Sequence, residues 1–130
     1  MKLEEIRKVL DAEWLSYKTI RNGYSGTEVS SCHASDLMSD VLTCGGKGSL
    51  LLTGLTNAQV IRVAEVSDFA AVCFVRGKKL QPEVVQLAEE RQIPLLVTAL
   101  SMFESCGRLH AKGLRGANMA KENVSCRTRK

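Results

Sequence analysis

The fold of this chain is decided by the stretch Leu50-Leu51-Leu52-Thr53-Gly54-Leu55-Thr56-Asn57. Its apolar run is too short for a buried helix and ends at a glycine and polar residues, which is typical of a strand buried on both faces. Asn57 is a natural N-cap, and apolar residues recur at helical spacing behind it, at Val60, Ile61 and Ala64. The stretch therefore predicts a strand, a polar turn and a helix in succession.

The same pattern of strand, turn and helix occurs again further along the chain. Residues 70–75 form a second apolar run, the polar residues 76–79 follow it, and a helical pattern begins at Pro82. A third run, residues 93–98, carries Pro94 near its start, where a missing backbone donor is tolerated. Repetition of the unit implies parallel strands joined by crossover helices. We therefore predict an α/β fold, a single three-layer α/β/α domain with a small parallel or mixed sheet.

The N-terminal segments predict one helix and one weaker strand. Apolar residues at helical spacing place a helix at residues 2–12, with Trp14 as an anchor just beyond it. Residues 21–26 have the composition of a loop. In residues 27–34 apolar and polar residues alternate imperfectly, which predicts a weaker strand.

Two more helices complete the predicted layers. Ser35 and Asp36 are expected to cap a short helix at residues 37–42. The final helix is expected to begin near Ala99 and to bend or end near Gly107. Its apolar positions are Leu100, Phe103 and Leu109.

The composition is that of an ordinary globular protein. With 130 residues, 45% of them apolar and 25% charged, the chain is long enough for one domain that folds without disulfides. No apolar segment approaches the length of a membrane span, and acids stand near the N-terminus, where a signal peptide needs basic residues. These features predict a cytoplasmic protein without a membrane partner.

The five cysteines are odd in number and scattered along the chain. This pattern favours reduced thiols over a disulfide framework, and Cys73, inside a strand run, is expected in the core. Cys32, His33 and Cys44 lack the paired spacing of a structural zinc site. We therefore predict no metal site.

Positive charge is concentrated at the C-terminus. From Gly107 onward the chain has seven basic residues and one acidic residue, a net charge of +6. The preceding part has eleven basic and thirteen acidic residues, a net charge of −2. We predict a globular domain at residues 1–113 and a basic, disordered tail at residues 114–130. The tail lacks interleaved aromatic residues, which disfavours nucleic acid as a partner.

Polar residues follow each of the three central strands. In parallel α/β sheets, ligands bind beyond the carboxyl ends of the strands, where loops and helix N-termini converge. Hydroxyls, an amide, glycines and fixed cations at these ends predict a site for a small anionic ligand such as a nucleotide. The alternative is that these residues only cap helices and turn the chain. The predicted ligand-binding residues are Thr53, Gly54, Thr56, Asn57, Arg76, Gly77, Lys78, Thr98 and Ser101.

Residues 75–98 closely resemble a segment of the N-terminal domain of HPr kinase/phosphorylase. Together with residues 36–42 and 52–62, the order of motifs makes residues 1–113 similar to a stand-alone DRTGG domain. Such domains also occur inside phosphotransacetylases and beside CBS domains in pyrophosphatases. The resemblance implies a non-catalytic regulatory domain, and stand-alone members that accompany iron-only hydrogenase subunits imply a larger redox or metabolic enzyme as partner.

The chain departs from the family at both signature positions. Residues 54–57 stand where the acidic-basic pair would lie, and residues 75–78 stand where the Thr-Gly-Gly would lie. We therefore expect a different ligand or none. The kinase activity belongs to a separate domain with a phosphate-binding loop, for which residues 45–49 are too short. We predict that they form a helix-to-strand turn.

Catalytic chemistry has little support in the sequence. His33 and His110 are far apart, nothing near Cys106 marks a low-pKa nucleophile, and capping or solvation accounts for Asp36 and Asp40. We therefore assign no catalytic residue and no cofactor. The first hypothesis is a regulatory domain that binds an anion; the alternatives are a homodimeric interaction module that docks on a larger enzyme and a phosphoryl-transfer enzyme.

Overall fold

The computed structural model describes residues 1–15 and 23–117. Over these residues the chain forms five α-helices, five strands and a short 3-10 helix. In chain order they are α1 (Leu3–Val9), β1 (Glu13–Trp14), the 3-10 helix (Tyr24–Gly26), β2 (Ser31–Ala34), α2 (Met38–Cys44), β3 (Ser49–Thr53), α3 (Ala58–Val66), β4 (Ala71–Phe74), α4 (Pro82–Glu90), β5 (Leu95–Val97) and α5 (Met102–Ala111).

The strands form one mixed, mostly parallel sheet in the order β1-β5-β4-β3-β2. Strands β2, β3, β4 and β5 are parallel, and β1 pairs antiparallel with β5 at the edge. Because each parallel strand lies beside the next one in the chain, the crossover helices α2, α3 and α4 connect neighbours directly. The predicted α/β fold with a small mixed sheet is confirmed.

Helices cover both faces of the sheet. Leu51 packs in an apolar cluster with residues of α2, α3 and α4, whereas Leu50 and Leu52 pack in a second cluster with residues of α1 and α5. Successive side chains of a strand point to opposite faces, so β3 contributes to both clusters. All five residues of β3 are buried, as the apolar run predicted.

The helix boundaries differ from the prediction where local backbone geometry intervenes. α1 ends earlier than residue 12 because Asp11 adopts a left-handed conformation, with φ of 52°. α5 begins at Met102 instead of Ala99, since the Ser101 hydroxyl caps it by accepting a hydrogen bond from the Glu104 N–H at 3.1 Å. Asn57 and Pro82 start α3 and α4 as predicted.

The weaker strands were predicted less well. β2 forms over Ser31–Ala34 only, and Trp14, predicted as an anchor, lies in β1 opposite Leu96. Part of the loop predicted at residues 21–26 lies outside the described residues; the rest is the 3-10 helix and the glycine before it.

Residues 114–117 lie along the outer edge of β2. Leu114 is buried, the Cys32 N–H donates to the Arg115 carbonyl at 2.9 Å, and the Ala117 N–H donates to the Cys32 carbonyl at 2.8 Å. Residues 118–130 lie outside the described part of the chain, so disorder stays a prediction for this part of the tail. None of the described helices is long and apolar enough to cross a membrane.

The thiols of the half-buried Cys32 and the buried Cys73 make the fold sensitive to alkaline pH. Burial raises the pKa of Cys32 from 9.0 to about 12, with a smaller contribution from Cys106, and burial also raises the pKa of Cys73. The folded protein therefore keeps protons that the unfolded chain loses above pH 9. We expect the free energy of unfolding to fall above pH 9, by up to about 1.4 kcal/mol per pH unit for each of these thiols.

Urea unfolding at pH 7.5, 9 and 10 measures this loss. A Cys73→Ala variant is expected to be less stable at pH 7.5 but to lose less stability as the pH rises. Equal pH slopes for the wild type and the variant would contradict the assignment.

Candidate functional site

The carboxyl ends of the parallel strands meet at one edge of the sheet. We call residues 53–57, 76–79 and 98–101 at this edge the carboxyl rim. The Gly77 N–H donates to the Thr98 carbonyl at 2.7 Å, and the Arg76 N–H donates to the Leu100 carbonyl at 2.8 Å. The Val75 N–H donates to the Thr53 carbonyl at 3.1 Å. The three turns that the sequence predicted as a site are therefore brought together by the backbone.

Asp36 is part of this edge, which the sequence analysis missed. It follows β2, and its Oδ1 accepts hydrogen bonds from the Gly54 N–H at 2.6 Å and from the Thr53 hydroxyl at 3.0 Å. The predicted capping role is wrong: α2 begins at Met38 without a side-chain cap, because the Asp36 carboxylate is turned toward the end of β3. A sequence signal existed, since Asp36 lies two residues after the end of β2, a strand of the parallel sheet.

Three charged side chains converge on Gly54. A Cβ atom at this position would lie 3.4 Å from Arg76 Nη2 and 3.5 Å from both carboxylate oxygens of Asp36. The Lys78 ammonium donates to the Gly54 carbonyl at 2.7 Å. The missing side chain thus lets two cations and one anion pack around Gly54, which is buried and whose N–H and carbonyl are bonded to Asp36 and Lys78.

Arg76 occupies an unfavourable backbone conformation. Its φ is +64°, and Gly77 follows at +62°. A non-glycine residue in this left-handed region costs about 1 kcal/mol. Asp11, Asp68 and Gln92 adopt the same conformation in turns outside the rim, so the conformation alone does not mark a site. The Arg76 side chain is exposed, and no ion-pair partner for it occurs among residues 1–15 and 23–117.

A cavity of about 480 Å³ lies between the beginnings of α3 and α4. Both helices direct the positive ends of their dipoles toward it. Four of the predicted residues line it, and the Asn57 side chain also caps α3 by accepting from the Gln59 N–H at 3.1 Å. The lining residues are Gly54, Leu55, Thr56, Asn57, Ala58, Lys78, Gln81, Glu83 and Val84.

Three of the predicted hydroxyls form hydrogen bonds with backbone groups at the rim. Thr53 and Thr98 are almost completely buried, and the Thr98 hydroxyl donates to the Leu10 carbonyl at 2.6 Å and accepts from the Leu100 N–H at 3.2 Å. The Ser101 hydroxyl caps α5. Among the described residues at this edge, the charged side chains that reach solvent are those of Asp36, Arg76, Lys78 and Lys79.

The histidines lie away from the carboxyl rim. His33 is 8% exposed, and its Nε2 lies 3.7 Å from the Asp40 carboxylate. Its Nδ1 has no hydrogen-bond partner within the described part of the chain. Asp36 and Asp40 contact different groups, so they do not act as a pair. Among the described residues no three histidine, cysteine or acidic side chains are arranged to hold a metal ion.

The electrostatics of the rim can be tested at Asp36. In Asp36→Asn, the amide oxygen can still accept from Gly54 and Thr53, but the negative charge near Arg76 is lost. We expect the free energy of unfolding to fall by about 1 kcal/mol, because charge-assisted hydrogen bonds are the stronger ones. Phosphate-bearing anions are expected to bind about two- to fivefold more tightly.

Calorimetric titration with pyrophosphate measures the change in affinity. The matched control is Asp40→Asn, which removes an equal charge from α2 beside His33 and away from Gly54. Weaker binding by Asp36→Asn, or an equal gain in both variants, would contradict the assignment.

Comparison with known proteins gives a relationship in structure. No family model matches the chain, and no curated protein matches it. Its structure is similar to that of the CBS and DRTGG domains of the regulatory region of Clostridium perfringens pyrophosphatase, complexed with the activator diadenosine tetraphosphate. The TM-score is 0.65 at 16% sequence identity, over 83% of this chain and 45% of that one. The chain therefore spans less than half of the similar chain, and the shared fold is consistent with a DRTGG domain.

Proposed function

We propose that this protein is a regulatory domain that binds a small phosphate-bearing anion, such as a nucleotide, at the carboxyl rim. The observation that carries the proposal is Arg76: an exposed guanidinium on a left-handed backbone, whose Nη2 lies beside the buried Gly54. A cation without an ion-pair partner among the described residues, placed where sheets of this kind bind ligands, is available for an anion.

The surrounding groups suit a phosphate. The Arg76 guanidinium can form two parallel hydrogen bonds to phosphate oxygens. The Lys78 ammonium has three N–H donors, so it can keep its bond to the Gly54 carbonyl and still donate to the ligand. The N-termini of α3 and α4 add partial positive charge on the same side.

A nucleotide fits better than inorganic phosphate. The cavity of about 480 Å³ has the size of a small-molecule site, and Leu55, Ala58 and Val84 give it an apolar part on which a base can pack. The structurally similar regulatory region was crystallised with diadenosine tetraphosphate, a nucleotide with several phosphates. That complex supports the ligand class proposed for this chain.

Thermal unfolding of the full chain with ATP, diadenosine tetraphosphate, pyrophosphate and adenosine tests the proposal. We expect the phosphate-bearing compounds to raise Tm by an amount that grows with the logarithm of the ratio of ligand concentration to Kd. The effect is expected to be smaller at high salt, and adenosine is expected to have none. Chromatography of the same samples is expected to recover the nucleotides intact, as for a non-catalytic domain. Equal Tm values in all samples would overturn the proposal.

A further inference from the structure

The outward face of α5 exposes an apolar side chain. Phe103 is 87% exposed, more than the other large apolar side chains that are exposed in the described residues. The sequence placed it among the apolar positions of this helix with Leu109, but six residues separate the two, which is about 120° around a helix. Leu109 is buried against the sheet, and Phe103 consequently points into solvent.

An apolar groove lies beside Phe103. It has a volume of about 570 Å³, and we call it the α5 groove. Gly107 is one of its lining residues, and a Cβ atom added there would meet nothing within 4 Å. A glycine inside a helix costs about 0.5–1 kcal/mol relative to alanine, and nothing in the described chain requires one here. The lining residues are Cys32, Ala34, Phe103, Cys106, Gly107, Leu109, His110, Ala111, Leu114, Arg115 and Gly116.

We propose that two copies of this chain pair through antiparallel α5 helices that cross at Gly107, with Phe103 of each copy filling the α5 groove of the other. Gly107 lets the two helix backbones approach closely. In an antiparallel pair centred on this residue, position 103 of one helix lies opposite position 111 of the other, next to the groove. Projection and groove are on the same helix, so the contact is self-complementary and closes after two copies.

The charges on α5 favour a second copy as the occupant. Glu104 lies in the first turn of the helix, and Arg108 and His110 lie in the last turn. Arg108 donates to Glu104 of its own helix at 3.0 Å. An antiparallel arrangement places the first turn of each helix against the last turn of the other, so each Glu104 carboxylate meets a second basic turn and opposite helix dipole ends come together. The predicted homodimer thereby acquires a specific contact surface.

This proposal is independent of the proposed ligand site. The α5 groove lies on the sheet face that carries α1 and α5, whereas the cavity at the carboxyl rim lies between α3 and α4 on the other face. Loss of pairing therefore leaves the ligand-binding groups of the rim in place.

Sedimentation equilibrium of the full chain over a wide concentration range tests the pairing. We expect a monomer–dimer equilibrium in the wild type and about 30-fold weaker association in Phe103→Ser, because a central aromatic residue dominates a small interface. Gly107→Gln is expected to weaken association while raising the thermal stability of the monomer, since it improves helix propensity. Val66→Ser is the matched control, because Val66 is 74% exposed on α3.

Each outcome bears directly on the proposal. Dimers that dissociate on substitution of Phe103 and Gly107 but persist in Val66→Ser support it. A wild-type monomer at all concentrations, open-ended association, dimers that tolerate both α5 substitutions, or equal weakening by Val66→Ser would overturn it.

Discussion

Replacing Arg76 by glycine is expected to weaken binding of the phosphate-bearing ligand at least about tenfold without destabilising the fold. A hydrogen bond to a charged partner contributes about 1.5–3 kcal/mol, which corresponds to a tenfold to hundredfold change in affinity. Glycine adopts the left-handed conformation of residue 76, at φ of +64°, without the cost that a side chain carries there. We therefore expect the free energy of unfolding to stay the same or to rise by about 1 kcal/mol.

Opposite changes in affinity and stability make this variant informative. A residue retained only for structure would be improved or unaffected by glycine here, and ligand binding would persist. Isothermal titration with ATP, together with urea unfolding of the same preparations, measures both quantities. Lys79→Ala is the matched control, since Lys79 is an exposed cation of the same turn that, unlike Arg76, is not among the groups nearest to position 54. Equal affinities in Arg76→Gly and the wild type, or equal losses in Arg76→Gly and Lys79→Ala, would show that Arg76 is not a specific ligand contact.

Local sequence patterns predicted the elements on which this site is built. The apolar run of β3, the Asn57 cap and Pro82 at the start of α4 each depend on residues within a few positions of one another. Parallel strands then bring their carboxyl ends to one edge, so the grouping of residues 53–57 with 76–79 followed from topology without knowledge of any side-chain contact.

The features that escaped prediction depend on partners far away in the sequence. Asp36 binds the Gly54 N–H across 18 residues, and the Thr98 hydroxyl donates to the Leu10 carbonyl across 88. A serine and an aspartate before a helix also satisfy the local pattern for capping. The sequence therefore could not show that the Asp36 carboxylate binds the Thr53 hydroxyl and the Gly54 N–H instead of capping α2. β1 consists of two residues that, within the described part of the chain, pair with the distant β5, and two residues are too few to carry a strand signal.

A second large effect is expected at Gly46, in the turn between α2 and β3. A Cβ atom at this position would overlap the ring of Phe69, which is 6% exposed and packs in the cluster of α2, α3 and α4. The ring is rigid and enclosed, so the core must shift to accept even a methyl group. We expect Gly46→Ala to lower the free energy of unfolding by about 2 kcal/mol. Gly26→Ala is the matched control, because a Cβ atom there meets nothing within 4 Å.

The double variant Gly46→Ala/Phe69→Leu identifies the cause. If the methyl group and the ring compete for one space, the two substitutions together are expected to cost at least about 1 kcal/mol less than the sum of their separate effects.

The same variants show whether residues 45–49 form a phosphate-binding loop or a helix-to-strand turn. In a phosphate-binding loop, Gly46 would contact the ligand, and Gly46→Ala would lose nucleotide affinity while keeping its stability. Because the turn lies between the end of α2 and the start of β3, at the sheet edge opposite the carboxyl rim, we expect the reverse: a less stable protein that, below its Tm, binds ATP like the wild type. Additive unfolding energies combined with lost ATP binding would contradict the role assigned to this turn.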